Sequence, residues 1–454
     1  MAGGSQSPDG GEVSGRYVIV LGGGLAGITA ALACADAGAR VTLLEVRPRL
    51  GGAAYSFRRD GLWLDNGQHV FLRCCTAYRA LLERLGSERR VMIQQRLEIP
   101  VLSPRAEPVV LRRSGLPAPL HLAGALARYS HLSIAQRLRA ARAALALARL
   151  DPRAALERER LRGATLGDWL AEHGQDEETV ATLWDLIALP TLNLPAAQGS
   201  LALGAFVLRT GLLQRKNAGD IGFHMRPLGE TLGEPAEHAL GEAGVDVRLG
   251  MRAERVDRSQ AGLRVYANGL EMDADALVCA VPHQRAAALL EPLLGAETER
   301  WVRLGEAPII NVHVVYDRRV CDLPFAAGVG TPVQYVFDRT EAAGLAQGQY
   351  LAVSLSGADE EMRLDAEQLR DRYLAGLRDL FPRARQAMVR SVHVSREHAA
   401  TFRAAPGTQA LRPAARTSVP GLALAGAWTD TGWPATLEGA VLSGHTAARE
   451  VLLA

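Results

Sequence analysis

The chain has 454 residues, 48% of them apolar and 22% charged, with a formal charge of +2. That length exceeds the usual single domain and predicts two interleaved ones with ample material for a core. Mixed acids and bases give no electrostatic footprint for nucleic acid, and no apolar run reaches the ~18 residues of a membrane span. Lys216 is the only lysine. Five cysteines, at 34, 74, 75, 279 and 321, show no metal-like spacing. Such a sparse, odd set predicts reduced thiols in a cytoplasmic compartment.

Residues 1–15 are polar and glycine-rich with no apolar core segment, which reads as a disordered tail rather than a signal peptide. Arg16 to Leu21 (RYVIVL) predicts a buried strand, and Leu25 to Ala37 a helix closed by Gly38. Between them stands Gly22-Gly23-Gly24-Leu25-Ala26-Gly27, a G-x-G-x-x-G turn. Gly22 suits the tight turn, Gly24 lets backbone approach a pyrophosphate, and Gly27 lets helix and strand pack closely. The backbone at Leu25 and Ala26 then opens a helix N-terminus toward the phosphates. A second strand, Arg40 to Leu44, ends at Glu45, about 20 residues on, where an acid accepts hydrogen bonds from a ribose. This context favours a dinucleotide over an ordinary glycine turn, and Glu45 disfavours a 2′-phosphate.

After Glu45 comes Arg49-Leu50-Gly51-Gly52-Ala53, which resembles the R-x-G-G segment of flavin amine oxidases and carotenoid-type desaturases. The resemblance implies FAD rather than NAD, with Arg49, Gly51 and Gly52 near the flavin-side phosphate. Ala53 replaces the family's usual arginine. Next, LWLDNGQHVFL, Leu62 to Leu72, sets Asp65-Asn66-Gly67-Gln68-His69 between apolar flanks. The flanks predict strands or core, and the polar centre a loop tip facing a pocket.

His121 to Leu150 reads as a helix rich in alanine, leucine and arginine. A basic amphipathic helix either covers a core, the commoner arrangement, or lies on an anionic membrane surface. From Leu228 the pattern predicts a helix, a strand at Val245 to Leu249 and a second strand around Val256. By resemblance, backbone near Val256 meets the adenine. Leu277 to Pro282 reads as another buried strand, and Asn311 to Tyr316 (NVHVVY) alternates like one that walls a pocket. Leu422 to Ala425 predicts a last strand, followed by Gly426-Ala427-Trp428-Thr429-Asp430-Thr431-Gly432-Trp433-Pro434-Ala435-Thr436-Leu437-Glu438-Gly439 and a helix.

The Asp65–His69 and Trp428–Gly439 motifs together resemble the hydroxysqualene dehydroxylases of bacterial squalene and hopanoid synthesis, over nearly the whole chain after the tail. The resemblance implies an α/β fold: a Rossmann-like FAD-binding domain of the amine oxidase/desaturase type with an interleaved α+β substrate domain. The FAD domain is expected from 16–80, 225–285 and 415–454, and the substrate domain from 81–224 and 286–414. Gln68, His69, Gly426, Trp428, Thr436 and Leu437 are expected around the flavin. Ala427 departs from the acid many flavoproteins place there. The implied reaction is FAD-dependent reductive dehydroxylation of a C30 isoprenoid: acid-assisted loss of an allylic hydroxyl, then hydride from reduced flavin N5. An electron donor must reduce the flavin, and transient contact with the inner face of the cytoplasmic membrane is expected. Asp65, His69 and Asp430 are the candidate acids. Against that, Asp65 and Gln68 could serve loop hydrogen bonds and His69 a structural one. The rival readings are a carotenoid-type polyene desaturase, an amine oxidase, or a flavoprotein-like binding subunit without turnover.

Overall fold

The computed structural model describes residues 15–453, so all but the last residue of the segment read as a tail, 1–15, lies outside the described residues. Strand β1 (Tyr17–Leu21) has four residues fully out of solvent, and its β-branched run pairs on both sides. It lies parallel to β2 (Arg40–Glu45) on one side and to Ala276–Cys279 on the other, with Ile19 opposite Thr42 and Leu277. Strands Asp246–Leu249 and Leu422–Leu424 complete a five-stranded parallel sheet. Runs such as VIVL and LVC are apolar throughout because both faces of a parallel sheet are covered.

Helix α1 (Leu25–Asp36) buries nine of its twelve residues. It lies between the sheet and the C-terminal helix, Leu437–Leu453. At Gly27 a Cβ would sit 1.8 Å from the Gly22 carbonyl oxygen, so only glycine admits this helix–turn packing. A three-stranded antiparallel meander, Ala253–Ser259, Gly262–Ala267 and Leu270–Ala274, leads back into the parallel sheet.

The second layer is a seven-stranded sheet ordered Val389–Thr401, Ala307–Tyr316, Gln349–Ser356, Tyr335–Asp338, Phe325–Gly328, Glu98–Ser103 and Ala106–Arg112. Helix Ala366–Leu380 packs on it through Leu369, Tyr373 and Leu377. Strand Ala307–Tyr316 is buried almost throughout, so its alternation of Asn311 and His313 with valines does not mark a solvent face. Those two polar groups are in the interior.

Two small sheets bridge these layers. A hairpin pairs β3 (Ser56–Arg59) with β4 (Leu62–Asp65), and β5 (Phe71–Leu72) pairs with Ile221–His224. The LWLDNGQHVFL stretch is therefore strand, loop, strand, and helix α2 (Thr76–Arg84) follows it.

The single helix expected over His121 to Leu150 is two, Ala123–Ala127 and Ile134–Arg149. Ser133 stops continuity: its side chain accepts from the Gln136 amide while Gln136 caps Ser133 in return. Tyr129 and Leu132, buried in the break, anchor it.

Replacing Gly27 by Ala should cost about 1–3 kcal/mol or more of folding stability, because neither backbone segment can yield to the added methyl. Denaturant unfolding of the variant beside the wild type measures it.

Candidate active site

The turn after β1 is held by its own backbone. The Gly22 amide donates to Leu44 O (2.8 Å), and the Gly23 amide to Glu45 Oε2 (2.6 Å). The Arg47 amide donates to Glu45 Oε1 (2.7 Å), so the carboxylate is fixed against the turn. Helix α1 begins at Gly24 with no side-chain cap and no acid in its first turn. Among the described residues no side chain caps its leading N–H groups, and the only acid shown at the turn, Glu45, is bound to the Gly23 and Arg47 amides instead. The second glycine pair closes over this turn: the Gly51 amide donates to Gly23 O (2.9 Å), and Gly52 has φ +59°. A Cβ on Gly52 would meet Gly24 Cα at 2.7 Å. Two strips of bare backbone thus face each other beside an uncapped helix end and a buried acid, a cradle that fits a dinucleotide pyrophosphate.

Arg49 stacks 3.7 Å over the Tyr55 ring and donates to Gly52 O (3.4 Å). Burial and the neighbouring Arg47 lower its pKa. The Met251 amide donates to Glu45 O (2.9 Å), which ties the approach to strand Ala253–Ser259 to the end of β2. Val256 is fully buried in that strand, opposite Val265.

Beyond the cradle, the Asp65–His69 loop is fastened from four sides. Asp65 is 6% exposed and its carboxylate accepts from Ser56 Oγ (2.6 Å), the Leu228 amide (2.9 Å) and Arg339 Nη2 (2.8 Å). Asn66 accepts from the Tyr55 amide and donates to Ala53 O and Glu397 Oε1. Asn311 Nδ2 donates to Asn66 O (2.8 Å). The Tyr78 hydroxyl and His224 Nε2 are 2.7 Å apart, and Arg339 also donates to the His224 carbonyl.

His69 differs from these groups: neither of its ring nitrogens has a protein hydrogen-bond partner among the described residues. Burial lowers its pKa, while the charges of Asp65 and Glu397 raise it. It lines a small cleft of about 20 Å³ with Gln68, Val70, Phe223, Leu228, Phe337 and Arg339 among the walls. Two buried amide atoms at this loop have no partner, Gln68 Nε2 and Asn311 Oδ1. A buried donor and a buried acceptor left open here are groups a ligand can satisfy.

The C-terminal motif is built around Arg412. Its guanidinium donates to the carbonyls of Ala427 and Thr429 and to Thr431 Oγ1. Burial pushes its pKa down to about 10, against the raising effect of Asp430. The Gly426 amide donates to Ser443 Oγ (2.8 Å). Trp428 donates from Nε1 to Val281 O and packs on Trp301, whereas Trp433 meets Phe206. These two tryptophans therefore do not form a facing pair. Thr436 Oγ1 accepts from the Gly439 amide at the start of the helix that Leu437 opens. Glu438 caps α2 instead, accepting from the Ala77 and Tyr78 amides (3.0 and 2.7 Å).

The structure thus brings Asp65, Gln68 and His69 together. Asp430 is exposed, accepts from Gln409, and makes no hydrogen bond or ion pair with that loop. Sequence reasoning missed Arg339, His224, Glu397 and Arg412, each brought in by tertiary pairing. Asn311 alone carried a signal, as an amide inside a valine-rich strand.

Asp65 and Arg339 form a buried pair, with side chains 6% and 13% exposed. Arg339→Met should cost about 3–5 kcal/mol by stranding the carboxylate, and adding Asp65→Leu should recover part of that loss. A double-mutant cycle in urea tests the coupling. His224 is a further handle: burial, with help from His69 and Arg339, lowers its pKa from 6.5 to about 3. The fold holds it neutral, so its contribution is intact above pH 6.5 and declines as pH falls toward 3, by up to ~1.4 kcal/mol per pH unit. His224→Gln should flatten that part of the stability-against-pH curve.

Comparison with known proteins gives the family. Residues 25–452 fit the family model of flavin containing amine oxidoreductases. A hydroxysqualene dehydroxylase of Rhodopseudomonas palustris is 31% identical, over 97% of this chain and 99% of its own. A zeta-carotene desaturase of Zea mays is 25% identical, over 94% of this chain and 82% of its own. The solved cyclohexylamine oxidase of Brevibacterium oxydans superposes with a TM-score of 0.71 at 18% identity, over 96% of this chain and 99% of that one. The chain belongs to the flavin containing amine oxidoreductase family and is an FAD-dependent oxidoreductase, similar within that family to the hydroxysqualene dehydroxylases.

Proposed function

We propose that the protein removes the allylic hydroxyl of hydroxysqualene reductively, giving squalene and water. The observation that carries this reading is His69: an imidazole without a protein hydrogen-bond partner among the described residues, beside the Asp65–Arg339 ion pair, in a cleft whose other walls are Gln68, His224 and the apolar Val70, Phe223, Leu228 and Phe337. The 31% identity to a hydroxysqualene dehydroxylase supports the substrate.

The Gly22–Gly27 turn, Leu25, Ala26 and the Gly51–Gly52 pair hold the FAD pyrophosphate in this reading, and Glu45 holds the ribose. Arg49, Gly426, Trp428, Thr436 and Leu437 frame the flavin side, and backbone at Val256 meets the adenine. The open amide atoms of Gln68 and Asn311 fit a ring edge bearing both a donor and an acceptor. Bound FAD, once reduced by an external electron donor, supplies the hydride.

The chain's own task is departure of the oxygen. The allylic C–O bond breaks, a proton on the His69 ring nitrogen facing the cleft passes to the oxygen, and water leaves. Asp65 does not donate that proton: it already accepts three hydrogen bonds and is paired with Arg339. It holds the loop and stabilises positive charge on His69. The apolar part of the wall, Val70, Phe223, Leu228 and Phe337, would limit the bulk water that could capture an allylic cation. Asp430, exposed and bound to Gln409, belongs to the packing of the C-terminal loop in this scheme.

The carotenoid-type desaturase remains the second reading, because a plant zeta-carotene desaturase also aligns over most of the chain and needs the same apolar enclosure. Anaerobic incubation of the FAD-loaded protein with a flavin reductant and hydroxysqualene separates them. Squalene is the expected product. No conversion there, with dehydrogenation of a polyene under oxidising conditions, would transfer the assignment to the desaturase.

Replacing His69 by Ala should leave FAD absorbance intact and lower turnover by about 10²–10⁴-fold. Unchanged turnover would remove His69 from the mechanism. An acid whose pKa lies below 6.5 is protonated increasingly as pH falls, so wild-type kcat/KM should rise on acidification below pH 6.5. The pH profile of the Ala variant should lack that rise.

A further inference from the structure

Helix Ile134–Arg149 turns three of its large aliphatic side chains to solvent. Its inward residues are Gln136, Ala140, Ala143 and Leu147. Its outward stripe is Ile134, Leu138, Arg142, Leu145 and Arg149, which at 3.6 residues per turn falls within an arc of about 80°. Ile134, Leu138 and Leu145 are 70%, 58% and 41% exposed. Single exposed aliphatics are ordinary on a protein surface, but three in one arc whose remaining members are arginines are not.

Charge points the same way. Residues 108–150 hold seven arginines and no aspartate or glutamate. Among the described residues, neither Arg142 nor Arg149 has a carboxylate within ion-pairing distance. Arg139, on the helix flank, is the one arginine of this helix that is paired, with Asp176 (3.0 Å). Leu116 and Leu120, in the same acid-free segment just before Ala123–Ala127, are 53% and 55% exposed. Arg137 ties that short helix to the longer one by donating to the carbonyls of Ala127 and Ser133.

We propose that this face docks on an anionic lipid bilayer, with Ile134, Leu138 and Leu145 in the acyl boundary and the arginines at the phosphates. A helix with aliphatic and cationic residues on one exposed side fits that interface, where apolar burial and headgroup charge add. A second copy of the chain fits it poorly, since an isologous contact would set arginine stripe against arginine stripe. Docking itself rests on the helix alone. Delivery of a C30 isoprenoid from the bilayer to the cleft rests on the function proposed above.

Flotation of the FAD-loaded full chain with vesicles tests the surface. The protein should float with phosphatidylcholine–phosphatidylglycerol vesicles, stay behind with phosphatidylcholine alone, and be released by high salt. Ile134→Asp with Leu138→Asp should weaken binding by about tenfold or more. Both sites are solvent-exposed, so FAD absorbance and turnover of detergent-dispersed substrate should be unchanged. Wild-type flotation of the double variant, or no flotation of the wild type with anionic vesicles, overturns the proposal. So does a dimer in light scattering that the double variant abolishes, which would make the face a contact between copies. Flotation without conversion of hydroxysqualene leaves the docking face standing and removes the function reading alone.

Discussion

A single buried carboxylate organises the reactive end of the molecule. Asp65 ends one strand of a hairpin, yet its partners come from three other places: Ser56 on the opposing strand, the Leu228 amide, and Arg339 after the strand Tyr335–Asp338. Those segments belong to the hairpin, the approach to the parallel sheet and the seven-stranded sheet. One ionised group therefore fixes how the two layers meet at the cleft. Such a charge is stable in the interior only because every lone pair that matters is engaged and the counter-charge is in contact. In the reaction proposed above, the same saturation would disqualify Asp65 as a proton donor and leave that work to His69, four residues on.

What could be read from the sequence was what is local. The strand, G-x-G-x-x-G turn, helix and acid at the second strand lie within thirty residues, and each glycine has a steric reason visible in the pattern. The Gly51–Gly52 pair was legible too, although its contact with Gly24 is a tertiary fact. Arg339, His224 and Glu397 were not legible, because they reach the Asp65–His69 loop across more than a hundred and fifty residues and only strand register brings them there. The split in the long arginine-rich helix was in principle readable: Ser133-x-x-Gln136 is a capping box, but the alanine–leucine pattern on either side masked it. The exposed aliphatics of that helix were out of reach, since composition gives amphipathicity but not which leucines meet the core.

The C-terminal motif shows the limit of carrying a pattern across. Where many flavoproteins place an acid this chain has Ala427, and Asp430 does not fill the gap, because it is exposed and bound to Gln409. What orders the loop is Arg412, which gathers carbonyl oxygens of the motif from a separate segment. Backbone carbonyls held by a buried guanidinium keep the loop in shape without an acidic side chain.

The last helix has a bearing on how the protein is made. The parallel sheet draws its strands from residues 17–45, 246–279 and 422–424, and Leu437–Leu453 covers α1. Glu438 on that helix also caps α2, which lies more than three hundred and fifty residues earlier. Chain synthesis delivers the dinucleotide turn first and the elements that enclose it last. The cradle's own strips, Gly22–Gly27 and Gly51–Gly52, are made early, whereas the helix that covers α1 and caps α2 follows more than three hundred and fifty residues later.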